Sequence, residues 1–161
     1  MTDHGKITRV MAFGTFDLVH IGHIKFLEEA KKLGGENSEL IVVISRDTTA
    51  ERIKEQAPIF NEEERKTVIQ TLKPVDKALL GYKGKDMLRI VEENKPDIIV
   101  LGYDQRIESE EFQKLKEELK ERGIKAKLVR MPKFSTGLNS STIIVKKILE
   151  RNRNNLQNQR K

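Results

Sequence analysis

The chain has 161 residues, 37% hydrophobic and 35% charged, with a net charge of +6: enough for one domain with a real core. No apolar run approaches the roughly 18 residues of a membrane span, and the first residues lack the apolar stretch of a secretory leader. The absence of cysteine excludes disulfides, thiolate nucleophiles and Cys-ligated zinc. A cytoplasmic protein with no membrane partner is expected. The basic excess is uneven, because residues 150–161 set Arg151, Arg153, Arg160 and Lys161 against Glu150 and leave only +3 for the other 149 residues. A modest excess suits phosphorylated small molecules better than nucleic acid, and 5% aromatic residues without Trp offer no base-stacking platform.

In chain order, Ile7 to Phe13 reads as a first strand that stops at Gly14-Thr15-Phe16-Asp17. A helix follows from about His23 to Leu33, with Ile24, Leu27 and Ala30 at helical spacing and Gly34-Gly35 as its stop. Leu40 to Ser45 is nearly continuous in apolar residues, as expected of a strand covered on both faces. A polar segment carries Lys54 toward Pro58, after which Asn61 and Glu64 form a capping pair for a helix to Leu72. Val75 to Leu80 predicts a third strand, Lys85 to Asn94 a helix, and Asp97 to Leu101 a fourth strand. Phe112, Leu115 and Leu119 mark one face of the next helix, closed by Gly123, and Lys125 to Met131 is the fifth strand. Ser140 or Ser141 caps a last helix with Ile144, Val145 and Ile148 on its apolar side. These five β–α units predict an α/β chain with a single doubly wound five-stranded parallel sheet over residues 1–151. From about Asn152 the polar, basic end has no apolar period and is expected to lack structure.

Ligands of open α/β sheets bind where strands end and helices begin, and the unusual residues sit at those edges. His20-Ile21-Gly22-His23 opens the first helix, with Gly22 leaving room for a phosphate between two imidazoles that can each donate a hydrogen bond. Two surface histidines, or a pair sharing a metal ion, are the plain alternatives. No third nitrogen or carboxylate partner supports the metal reading, so no protein metal ligand is assigned.

Gly14-Thr15-Phe16-Asp17-Leu18-Val19-His20-Ile21-Gly22-His23 resembles the signature of the cytidylyltransferase-like nucleotidyltransferases. The tetrapeptide is also similar to that of class I aminoacyl-tRNA synthetases, but the chain is too short for one and has no Lys-Met-Ser-Lys-Ser motif. The resemblance continues through Ser45-Arg46-Asp47, Arg65, Leu101-Gly102-Tyr103-Asp104-Gln105 and the closing Gly137-Leu138-Asn139-Ser140-Ser141-Thr142, with Lys133 where the family has arginine. It implies a Rossmann-like fold and transfer of a nucleotide from a triphosphate to a phosphorylated acceptor with release of pyrophosphate. His20 and His23 would be catalytic. Gly14, Thr15, Phe16, Gly22, Arg65, Gly102, Asp104, Gln105, Ser140, Ser141 and Thr142 would join them around the nucleotide, and Asp17, Arg46, Lys54 and Lys133 around the acceptor. A divalent ion such as Mg²⁺ would arrive with the nucleotide, and the subunits would form a homodimer.

Each of these residues has a structural alternative: a turn cap for Asp17, a surface ion pair for Arg65, a solvated loop lysine for Lys54, helix caps for Ser140 and Ser141. Within the family, Ala57-Pro58-Ile59-Phe60-Asn61-Glu62-Glu63-Glu64-Arg65 and Lys95-Pro96-Asp97 to Gln105 resemble archaeal FAD synthases more than glycerol-3-phosphate cytidylyltransferases. The reaction implied is ATP plus FMN giving FAD and pyrophosphate, with CTP plus glycerol 3-phosphate as the alternative. A small nucleic-acid-binding module and a catalytically dead nucleotide sensor are two further readings. Mixed charge along every helix speaks against the first and the intact histidine pair against the second.

Overall fold

The computed structural model describes residues 5–84, 86–103, 109–134, 137 and 140–158. Strand β1 (Thr8–Gly14) sends Val10 and Ala12 to one face and Met11 to the other, all three fully buried, as the two-residue period of a strand requires. Helix α1 (Ile21–Leu33) returns the chain to β2 (Ser38–Ile44), which pairs with β1 in parallel from Thr8↔Ser38 to Gly14↔Ile44. After α2 (Asp47–Lys54) and α3 (Glu62–Gln70) the chain enters β3 (Lys77–Leu80) at one edge of the sheet. It then crosses to the far side of β1 through α4 (Arg89–Asn94) and β4 (Ile98–Leu101). Helix α5 (Ser109–Glu121), β5 (Lys127–Arg130) and α6 (Ser141–Asn158) complete it.

The sheet has five parallel strands in the order β3-β2-β1-β4-β5, as expected for the Rossmann-like class. One core layer joins Val10, Ala12, Leu40, Val42, Ile44, Ala78 and Val100 to Phe26, Leu27 and Ala30 of α1 and Ile69 of α3. The other joins Met11, Ile41, Val43, Ile99 and Leu101 to Ile90 and Val91 of α4 and Leu119 of α5. Both faces of the sheet are covered, which explains the continuous apolar run of β2. The chain reverses its lateral direction between β1 and β4, so the crevice beyond their C-terminal ends is the natural ligand site.

Three element predictions need correction. The segment 47–54 is a helix, read from sequence as irregular because its single buried residue, Ala50, creates no apolar period. Helix α4 begins at Arg89 and not Lys85, since the Asp86 carboxylate accepts from the Leu88 N–H at 3.2 Å and holds a turn there. Helix α6 runs to Asn158, through most of the segment expected to lack structure. Extending an existing helix costs little per residue, even where added residues such as 152–155 are exposed.

Candidate active site

Histidine is an unusual N-cap, because Ser, Thr, Asp and Asn dominate that position. Here His20 caps α1 with extended backbone (φ −140°), and its Nδ1 accepts from the Gly22 N–H at 3.1 Å. His23 reciprocates, its Nδ1 accepting from the His20 N–H at 3.3 Å. The two rings stack with centroids 3.8 Å apart and planes 26° off parallel. An Nδ1 that accepts carries no proton, so the neutral rings hold theirs on Nε2. The backbone of one helical turn thereby selects the Nε2–H tautomer of both histidines.

Burial, the neighbouring His20 and the charge of Lys54 lower the His23 pKa from 6.5 to about 3. Above pH 6.5 the ring is neutral both folded and unfolded. Between pH 6.5 and 3 the unfolded chain takes up a proton that the folded chain does not, so stability falls as the pH drops through that window. In His23→Asn the side-chain oxygen can replace Nδ1 as acceptor but does not titrate. Urea unfolding from pH 7 to 4 is expected to show a steeper loss for the native chain than for His23→Asn. Parallel losses would contradict the burial of a neutral ring.

The loop between β1 and α1 is shaped around this pair. Phe16 is buried at φ +52°, a left-handed conformation that costs an ordinary residue roughly 1–2 kcal/mol. Its ring lies 5.3 Å from that of His23 in an edge-on arrangement. Gly14 is required by that placement, since a Cβ there would come within 2.6 Å of the Phe16 ring. The Thr15 hydroxyl accepts from that of Ser45 at 3.1 Å, and the Ser45 N–H donates to the Gly14 carbonyl at 3.0 Å, tying the ends of β1 and β2 together.

Three residues expected to contact ligand spend polar groups on the protein itself. The sequence predicts Arg65 at the nucleotide, but its side chain is completely buried. Nε donates to the Phe60 carbonyl (3.0 Å), Nη1 to that of Thr15 (2.6 Å), and Nη2 to that of Ser45 (2.8 Å) and to Asp47 Oδ1 (2.6 Å). Arg65 is thus a positioning residue that locks three loops together. Similarly Asp17, predicted at the acceptor, accepts from the N–H groups of Ile59 (2.8 Å) and Phe60 (2.9 Å). Arg46 donates to the Gly81 carbonyl (2.6 Å) and to Glu62 (2.8 Å), so most of its guanidinium serves the junction of β2, β3 and α3.

Lys54 ends α2, exposed, and its charge acts on His23, which places it on the histidine side of the molecule. On the other side of β1, Gly102 and Tyr103 follow β4, and the Lys133 ammonium stands 5.5 Å above the Tyr103 ring. Ser140 immediately precedes α6, its carbonyl accepting from the Ile144 N–H at 3.1 Å, and Ser141 and Thr142 lie in the first turn. Asp104 and Gln105, with Leu138 and Asn139 of the closing motif, lie outside the described residues.

Sequence reasoning missed the exchange between α2 and α3. Glu62 accepts from the Asp47 N–H (2.9 Å) and Asp47 from the Glu62 N–H (3.2 Å), each capping the other's helix. Two acidic residues fifteen apart carry no local signal of such pairing. Among the described residues no three His, Asp or Glu side chains gather as metal ligands, and no helix is long and apolar enough to cross a membrane.

The profile of the cytidylyltransferase-like family matches residues 11–147, and the chain belongs to that family. It is similar to FAD synthases of three archaea. One from Aciduliprofundum boonei is 49% identical over 90% of this chain and 93% of its own length. Those of Thermoplasma acidophilum (46%, 89% and 96%) and Methanothermobacter marburgensis (48%, 89% and 86%) follow the same pattern. Among solved structures, a Thermoplasma volcanium protein described as a lipopolysaccharide core biosynthesis protein is 47% identical, with a TM-score of 0.73 over 81% of this chain and all of its own. A protein of unknown function from Archaeoglobus fulgidus, 18% identical with a TM-score of 0.57 over 78% of this chain and 90% of its own, shares the fold.

Proposed function

We propose that this nucleotidyltransferase is an FMN adenylyltransferase, moving AMP from ATP to the phosphate of FMN to give FAD and pyrophosphate. The observation that carries the reaction class is the stacked, tautomer-selected His20–His23 pair at the start of α1, just beyond the loop that leaves the C-terminal end of β1. The choice of substrates is supported by the FAD synthases that match about nine-tenths of the chain.

A phosphate monoester needs no general base at neutral pH, because its second pKa is about 6. Its oxygen attacks the α-phosphorus, and the bond to the β-phosphate bridging oxygen breaks. Catalysis then consists of in-line positioning and of stabilising charge on the α-phosphate and departing pyrophosphate. In this reading the Nε2–H groups of His20 and His23 donate to those oxygens, and a neutral His23 does so without losing a proton. Gly14, Thr15, Phe16 and Gly22 shape the loop around the nucleotide, with Gly102 toward its base and ribose. The start of α6 at Ser140, Ser141 and Thr142 presents hydroxyls and N–H groups to its phosphates. Of the cations predicted at the site, Lys54 and Lys133 would meet anionic groups of the substrates, with the part of the Arg46 guanidinium not bonded to Gly81 and Glu62. A divalent ion enters as part of the ATP complex, held by the triphosphate. The protein is taken to work as a homodimer in the cytoplasm without nucleic acid.

The test crosses ATP and CTP with FMN and glycerol 3-phosphate in the presence of Mg²⁺ and measures pyrophosphate. Release is expected only with ATP and FMN. Release only with CTP and glycerol 3-phosphate would keep the chemistry and overturn the substrates. Silence in every combination would contradict the proposal.

A further inference from the structure

Ile59 and Phe60 are 72% and 42% exposed, yet their backbone is tied down by three hydrogen bonds to side chains. Both N–H groups donate to Asp17, and the Phe60 carbonyl accepts from the buried Arg65 guanidinium. The next residue, Asn61, is locked as the N-cap of α3 by a reciprocal capping box with Glu64. Two large apolar side chains held outward on a fixed backbone form a surface made before anything binds, and such preorganisation removes the ordering cost of binding.

Its place says what it would receive. Asp17, which grips this segment, directly follows Phe16, whose ring touches His23, and Lys54 at the end of α2 is close enough for its charge to act on that same imidazole. Apolar shelf, cation and histidine pair thus lie on the β2 side of β1, while Gly102 and Tyr103 lie on the β4 side. We infer that Ile59 and Phe60 form the platform for the isoalloxazine ring of the acceptor, with Lys54 facing the acceptor's phosphate end. This rests on FMN being the acceptor, and it explains the choice physically. A flavin offers a planar apolar face to match the shelf, whereas glycerol 3-phosphate offers none.

Flavin fluorescence, titrated with the full chain and FMN alone, reads binding directly, and steady-state assays separate the two KM values. Phe60→Ser is expected to weaken FMN binding and raise the KM for FMN about tenfold, the scale of one lost aromatic contact with its buried area. The KM for ATP should be unchanged, and Phe60→Tyr should restore FMN binding. Ile59→Ser, at the more exposed position, should shift the same two FMN readings by a smaller factor and keeps the test open should Phe60→Ser not fold. Native FMN affinity in both serine variants would overturn the platform, as would equal rises in both KM values. So would a changed sedimentation coefficient with FMN affinity intact, which would give the shelf to a second copy of the chain. Failure of the native chain to make FAD would instead overturn the FMN reading itself.

Discussion

His23→Ala is expected to lower kcat roughly 10²–10³-fold, the usual loss for one donor aimed at developing transition-state charge. The ring is neutral, stacked on His20 and committed through Nδ1 to the helix cap, so Nε2–H is the group it can offer a ligand. Alanine also removes a capping interaction worth about 1 kcal/mol, and His23→Asn separates the two effects. Asparagine can retain the acceptor at the Nδ1 position but has no donor where Nε2–H stands, so its kcat should fall as far as that of alanine while its helix stays capped. A loss below tenfold in a folded variant would remove His23 from the chemistry.

Arg65→Met should be the most destabilising single change at the site. Methionine fills much of the volume but leaves the carbonyls of Thr15, Ser45 and Phe60 and the Asp47 carboxylate without their donor. The Asp47 carboxylate is 41% exposed and can turn to water, but leaving the buried carbonyls without a donor costs about 1–3 kcal/mol each, for a total of about 3–5 kcal/mol. For a chain of this size that corresponds to a fall in Tm of about 10 °C. Activity should fall with it, since the same guanidinium orients the loop that carries Phe16 and the loop that carries Phe60. An unchanged Tm with a raised KM for ATP would mean that the guanidinium faces the nucleotide after all.

The sheet was legible because its strands are buried on both faces and write that directly as apolar runs, as in Leu40–Ile44. The capping box of Asn61 and Glu64 was legible because its two members are three residues apart. The histidine pair was legible through the likeness of its motif to the family signature, but its ring stacking was not: with centroids 3.8 Å apart the imidazoles leave no space between them for the phosphate that Gly22 was expected to admit there. What else was hidden depends on contacts distant in sequence. Arg65 and Thr15 are fifty residues apart, and no local pattern distinguishes an arginine that binds phosphate from one that closes a fold. The grip of Asp17 was hidden in the same way, since a carboxylate next to a catalytic motif is as suitable for holding backbone N–H groups forty-two residues on as for facing a substrate. Helix α2 failed by lack of amphipathic signal, with Ala50 alone turned inward.

The most direct measurement follows the phosphorus atom itself. The chain is incubated with FMN, Mg²⁺ and ATP labelled at the α-phosphate, and the products are separated by chromatography. The label is expected in FAD, with unlabelled pyrophosphate released in equal amount, and no transfer when α-labelled CTP replaces ATP. Label remaining in ATP or appearing only in free AMP would contradict adenylyl transfer to FMN.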